Sequence, residues 1–151
     1  MVSFSCTRST FVPVDTHRVQ WLQKDVDYGL ARDYWQNSRS PLTHPTWIMA
    51  HSIGYQYAAI LDQEQVISLA GVWRFSDSAW DVAAVSTLEP FQRQGFAKQV
   101  VSFVTAYILD ANHLATCSTG DTNLAMIATA RSVGFQQISP EDVGWTYPQF
   151  Q

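Results

Sequence analysis

The sequence predicts an α/β fold around a mainly antiparallel sheet, and three observations carry that expectation. Residues 55–88 hold three consecutive apolar, β-branched runs, "YQYAAIL", "VISLAGVWRF" and "AWDVAAVSTL". The polar turns "DQEQ" and Ser76-Asp77-Ser78 separate them, so they read as strands of a meander. Next, Phe96, Val100, Val104, Tyr107 and Ile108 form one apolar stripe at helical spacing, which predicts a helix over 95–110. Finally, "LATCST" reads as a short strand, and a second helix runs from Asp121 to about Ser132. Asp121 is positioned to accept from that helix's first N–H groups, and Gly134 to supply its left-handed stop.

The remaining elements are fainter. Residues 2–6 alternate weakly, as in a short strand. Val19, Leu22, Val26, Leu30 and Tyr34 recur at helical spacing after Asp15 and Thr16, which predicts a helix capped by one of them and split at Gly29. Ser38 to Pro45, with two prolines and small polar residues, reads as a loop. "FQQI" and "GWTYPQF" read as a closing strand pair.

At 151 residues the whole chain, 1–151, is expected to form one domain, large enough to bury a core without metals or disulfides. A net charge of −4 argues against general nucleic-acid binding, which needs a basic face. The two cysteines, Cys6 and Cys117, make no C-x-x-C pair, so a reduced, cytoplasmic chain is expected. The four histidines lack metal-ligand spacing, and no metal site is read. The N-terminus does not resemble a signal peptide, and no apolar run is long enough to span a membrane.

The segment that points to chemistry is Gln92-Arg93-Gln94-Gly95-Phe96-Ala97, where a strand hands over to a helix. The first N–H groups of a helix have no intrahelical acceptor, and the macrodipole adds positive potential there. Glycine lets a phosphate approach without a Cβ in the way. A dinucleotide fingerprint, G-x-G-x-x-G early in a βαβ unit, does not fit one late glycine after a meander, and a Walker loop, G-x-x-x-x-G-K-[ST], is absent.

The pattern Q/R-x-x-G-x-G/A does fit, and it resembles the pyrophosphate loop of the GNAT superfamily of acetyl-CoA-dependent N-acetyltransferases. The surroundings strengthen the resemblance. The loop follows a meander and opens a helix, and "NLAMIATARSVGF" is similar to the family's N-x-x-A…G-F signature, with Asn123 eleven residues before Gly134-Phe135. It covers about Tyr55 to Ile138. It implies a GNAT-type mixed, mainly antiparallel central sheet, splayed at strands 4 and 5, with helices on both faces. It also implies acetyl-CoA as acyl donor and a primary amine, on a small molecule or a protein, as acceptor. A homodimer is carried over by analogy with the family alone.

Residue roles follow from the resemblance position by position. The backbone of Val85, Ser86 and Thr87 matches the strand that pairs with the pantetheine arm. Gln94, Gly95, Phe96, Ala97 and Lys98 match the N–H groups that hold the pyrophosphate, with Arg93 as charge support. Asn123 matches an asparagine that reaches the cofactor arm; its residue type equally suits a helix start. Asp81, fourteen residues before Gly95, stands where some members carry a general-base glutamate, and Glu89 is a second carboxylate nearer the loop. Asp81 also reads as a surface residue at a strand start.

Two positions depart from the family pattern. Ala130 occupies the place of the tyrosine that protonates the leaving thiolate, and Ser118 that of a glutamate found in some members. Tyr147, Tyr107 and Cys117 are the available substitutes, although Cys117 within a strand reads first as a buried apolar residue. A chain with the cofactor cleft but no acid is also compatible with a non-catalytic acyl-CoA-binding module. The many rings, Trp21, Tyr28, Tyr34, Trp35, Trp47, Tyr55, Tyr57, Trp73 and Trp80 among them, supply core and the wall of an amine pocket.

Overall fold

The computed structural model describes residues 1–38 and 40–139. The strands are β1 (Val2–Cys6), β2 (Val19–Trp21), β3 (Tyr55–Asp62), β4 (Gln65–Trp73), β5 (Ala79–Thr87), β6 (Leu114–Thr119) and β7 (Gln136–Ile138). The helices are α1 (Tyr28–Trp35), α2 (His44–Ser52), α3 (Phe96–Asp110) and α4 (Leu124–Val133). One mixed, mainly antiparallel sheet has the order β2-β3-β4-β5-β6-β1-β7.

The meander forms as its turn residues dictate. Asp62 pairs with Gln65 across a two-residue turn in which both Gln63 and Glu64 have positive φ, a geometry that matches strand twist. β5 then pairs with β4 through a bulge: Leu69 faces Ser86, Gly71 faces Ala83, and Ala84 takes a φ of 55°. An extra residue of this kind bends a strand and re-aims its side chains. β5 runs parallel to β6 only from Ala79 to Asp81, opposite Leu114 to Thr116. Beyond that point the two strands part. This is the splay expected at strands 4 and 5; the extra strand β2 makes them β5 and β6 in this chain.

The core lies on both faces of the sheet. Val100, Val104 and Ile108 of α3, all fully buried, pack with Ala130 and Val133 of α4 against Phe4, Ile60, Val72 and Val82. On the opposite face, Ala31 of α1 and Trp47 of α2 pack on Tyr57, Ala59 and Leu69.

Three sequence expectations are corrected. The helix over Val19 to Tyr34 starts only at Tyr28: Val19–Trp21 pairs with Ala58–Ile60 as a strand, and Val26 is exposed. Sheet pairing here overrides a helical pattern. The loop expected over Ser38 to Pro45 ends two residues early, because α2 begins at His44; it is started by Thr43, whose hydroxyl accepts from Thr46 N–H at 3.3 Å, with Pro45 in the first turn. The cap of α4 is Asn123, whose Oδ1 accepts from Met126 N–H at 3.2 Å; Asp121 does not serve. "FQQI" supplies β7, which pairs with β1, so β1 lies between β6 and β7. "GWTYPQF" and Tyr147 lie outside the described residues.

Gly134 ends α4 with a φ of 103°, and a Cβ there would come within 2.0 Å of the Thr10 carbonyl. Val12 N–H donates to Val133 O beside it at 2.8 Å, so the N-terminal segment is held against the stop. Gly134→Ala is expected to lower unfolding free energy by at least about 1–3 kcal/mol, the range for left-handed strain alone, as read by urea denaturation.

Candidate active site

The parting of β5 from β6 leaves a wedge, and the turn into α3 opens onto it. Gln92 stays extended, and its side-chain amide donates to Thr87 O at 3.0 Å, tying the loop to the strand end. Arg93 and Gly95 both take positive φ, 63° and 84°, which turns the chain sharply into the helix. The first backbone bond of α3 is Gln99 N–H to Gly95 O. The N–H groups of residues 94–98 meet no backbone acceptor among the described residues. A Cβ on Gly95 would meet no protein atom within 4 Å, so that position faces open space.

A cleft of about 720 Å³ occupies the wedge. Val85, Ser86 and Thr87 form its strand side. Arg93, Gly95, Phe96, Ala97 and Lys98 form its floor, and Asn123, Met126 and Thr129 contribute from the α4 side. Nine of the ten residues expected to hold the cofactor therefore border one cavity. The tenth, Gln94, turns its side-chain amide to Pro90 O at 3.3 Å, leaving its backbone N–H for the turn. The lining carries two cations, Arg93 and Lys98, and no carboxylate. In a chain of net charge −4, that local bias favours an anionic ligand. Asn123 performs the helix-start role, and its Nδ2 donates to Thr119 Oγ1 at 3.1 Å.

The two candidate bases differ sharply. Glu89 is exposed, on a single 3₁₀ turn beside Gln92 and Arg93. Asp81 is not the surface residue its strand-start position suggests: it is 8% exposed. Thr116 Oγ1 donates to its Oδ1 at 2.7 Å across the last paired rung before the splay. Burial pushes its carboxyl up to about 7 despite that bond. Asp81 pairs in register with Trp73, and Trp73 with Tyr55, which puts these three side chains on one sheet face. The Asp81 charge raises the Tyr55 hydroxyl after burial has done so first.

That face is aromatic. Trp47 stacks on Tyr57, Tyr57 on Tyr55 and Tyr55 on Trp73, with centroids 5.6, 6.1 and 5.2 Å apart, and Trp35 meets Tyr57 edge-on. Gly71 makes room, since a Cβ there would press on the Tyr57 ring at 3.1 Å. Trp21 and Trp80 belong to the other face, against Phe103, Tyr107 and His113.

The substitute acids fare as follows. Tyr107 is bonded to Arg74, whose guanidinium also lies over the Tyr107 and Trp80 rings, on the α3 side of the sheet. Cys117 is 2% exposed, and burial drives its thiol well above the ordinary range, as befits a core residue. Ala130 is fully buried between α3 and α4. One contact had no signal in the sequence: the Tyr34 hydroxyl of α1 meets the Ser86 hydroxyl at 2.6 Å, on the splayed part of β5.

The model of the FR47-like protein family matches residues 60–145, more than half of the chain. The chain belongs to that family, and its fold is that of GNAT-family structures. Among solved structures, a GNAT-family protein from Novosphingobium aromaticivorans superposes with a TM-score of 0.72 at 17% identity, over 89% of this chain and 58% of its own. A GNAT-family acetyltransferase from Colwellia psychrerythraea gives 0.73 at 11% identity, over 90% and 52%. The chain thus spans little more than half the length of these two. AAC(6')-Iy, solved with the bisubstrate analogue CoA-S-monomethyl-acetylneamine, gives 0.63 at 14% identity, over 78% of this chain and 89% of its own. No curated protein matches the sequence. No helix among the described residues is long and apolar enough to cross a membrane.

Proposed function

We propose that this chain is an N-acetyltransferase that moves an acetyl group from acetyl-CoA directly to a primary amine of a small molecule or protein. The observation that carries the proposal is the cleft itself. It joins an unpaired strand edge, at Val85 to Thr87, to a left-handed glycine turn with free N–H groups and two cations. An unpaired strand edge suits the amide-bearing pantetheine arm. The turn at residues 93–98 suits a pyrophosphate. On the other side of β5, Asp81 serves as base for the acceptor ammonium, directly or through water, because a carboxyl near 7 is half ionised at neutral pH. Glu89, exposed and outside the aromatic face, is the weaker choice. The stacked rings supply a wall for an amine by cation–π attraction and stacking.

The test has two parts: calorimetric titration with CoA, and thiol release from acetyl-CoA with a panel of primary amines. Binding with release is the expected result. Binding without release on any amine favours the acyl-CoA-binding module, for which the burial of Ala130, with no proton donor at that position, is the supporting observation. No binding at millimolar CoA rejects both.

A further inference from the structure

Ala130 leaves the departing thiolate without the proton donor that the family resemblance places there, and the structure offers a hydroxyl from the opposite side. Tyr34 lies in the last turn of α1. Its hydroxyl sits 2.6 Å from Ser86 Oγ. Ser86 lines the cleft and follows the bulge at Ala84, where β5 has already left β6. The bulge is what makes the contact. Asp81 and Ala83 face the aromatic side, and one extra residue restores Ser86 to that same side, opposite Leu69. Asp81 and Tyr34 therefore stand on one face of β5, with the splayed edge between them. The Tyr34 ring is half-buried and edge-on to Trp35, which holds it in place.

Resting on the acetyltransferase reading above, we infer that Tyr34 is the general acid of the reaction, donating its phenolic proton to the sulfur of the leaving CoA. The balance is as follows. Asp81 takes one proton from the acceptor ammonium; the neutral amine nitrogen bonds to the thioester carbon, and the second N–H proton, made acidic by the new C–N bond, passes to solvent. The C–S bond then breaks with its electron pair on sulfur. The Tyr34 O–H proton passes to that sulfur, giving CoA thiol, and the tyrosinate regains a proton from solvent. The products are the N-acetyl amine and CoA. The Ser86 hydroxyl donates to the tyrosinate as it forms, which is the direction in which that bond acts on the Tyr34 hydroxyl against the upward pull of burial. Tyr34 thus supplies from α1 what α4 lacks.

The test uses Tyr34→Phe, which keeps the ring and its packing. Melting temperature and CoA affinity are expected to stay at the values of the unaltered chain. Thiol release from acetyl-CoA, with the best amine of the panel, is expected to fall about 10²-fold or more. A second readout needs no acceptor: the pKa of protein-bound CoA thiol, followed by thiolate absorbance. A hydrogen bond donated to the thiolate lowers that pKa, so its loss in Tyr34→Phe should raise it by about one unit or more. Release within about tenfold of the unaltered chain, or an unmoved thiol pKa, overturns the assignment. CoA binding without release from the unaltered chain overturns it in favour of the binding module. Absence of CoA binding to the unaltered chain rejects the underlying function, and the titration alone separates that failure from the others.

Discussion

Asp81→Asn should lose most acetyl transfer and gain stability above neutral pH. In the folded chain burial holds the Asp81 carboxyl near 7, whereas its ordinary value is 3.8. Between roughly pH 4 and 7 the folded state keeps a proton that the unfolded state has released. The associated stability is complete below about pH 4 and is lost as pH rises through 7, a change on the order of 4 kcal/mol at most. Asparagine stays neutral and still accepts from the Thr116 hydroxyl, so its stability lacks this slope and exceeds that of the unaltered chain at pH 8. Activity moves the other way. Removal of a general base lowers thiol release by about 10²-fold or more. In the unaltered chain the rate rises with pH through a midpoint near 7 as Asp81 ionises. Urea denaturation at pH 5 and pH 8, with a pH–rate profile, measures both effects. A surface carboxylate without a role would change neither.

The second large effect is expected at Gly95. With φ at 84° a side chain is disfavoured by about 1–2 kcal/mol, yet its Cβ would meet nothing in the protein. Gly95→Leu should therefore fold, with a melting temperature only about 2–8 °C lower. The leucine would occupy the side of the turn where the free N–H groups face the cleft. Each hydrogen bond to a charged group contributes about 1.5–3 kcal/mol, so losing even one weakens CoA binding by about 10- to 100-fold. Gly120→Leu is the control, because Gly120 also has open space around it but lies outside the cleft lining. Gly134 is the instructive opposite. It has the same hand of φ, but a Cβ there would strike the Thr10 carbonyl, so its substitution acts on the fold rather than on the ligand.

These contrasts show which parts of the molecule local sequence can express. The meander, α3 and the turn at residues 92–97 were legible, because period-2 and period-3.6 patterns and a single glycine at a strand–helix junction are local signals. The cleft lining was expected from the family resemblance, which rests on the residues around that junction and on Asn123 with Gly134-Phe135. What sequence did not express is long-range. β1 pairs with β6 across more than a hundred residues, Phe4 opposite Cys117, and nothing in Val2–Cys6 specifies its partner. β2 was hidden by a chance helical spacing that pairing with β3 overrules. α2 carried a readable start, Thr43 with Pro45, but its apolar residues do not form one clear stripe. The burial of Asp81 depends on its pairing with Trp73 of β4 and Thr116 of β6, which the residues adjoining Asp81 in the chain do not specify. The approach of Tyr34 to Ser86 depends on how α1 lies over the sheet and on the bulge that re-aims Ser86.

The most direct test of the account is to follow the backbone amide resonances of residues 93–98 while CoA is added. Bonds from these N–H groups to a pyrophosphate should shift Gly95, Phe96, Ala97 and Lys98 far more than the amides of α1 or α2, saturating with the calorimetric affinity. If CoA binds and those amides stay put, the diphosphate rests elsewhere and the assignment of the cleft is wrong.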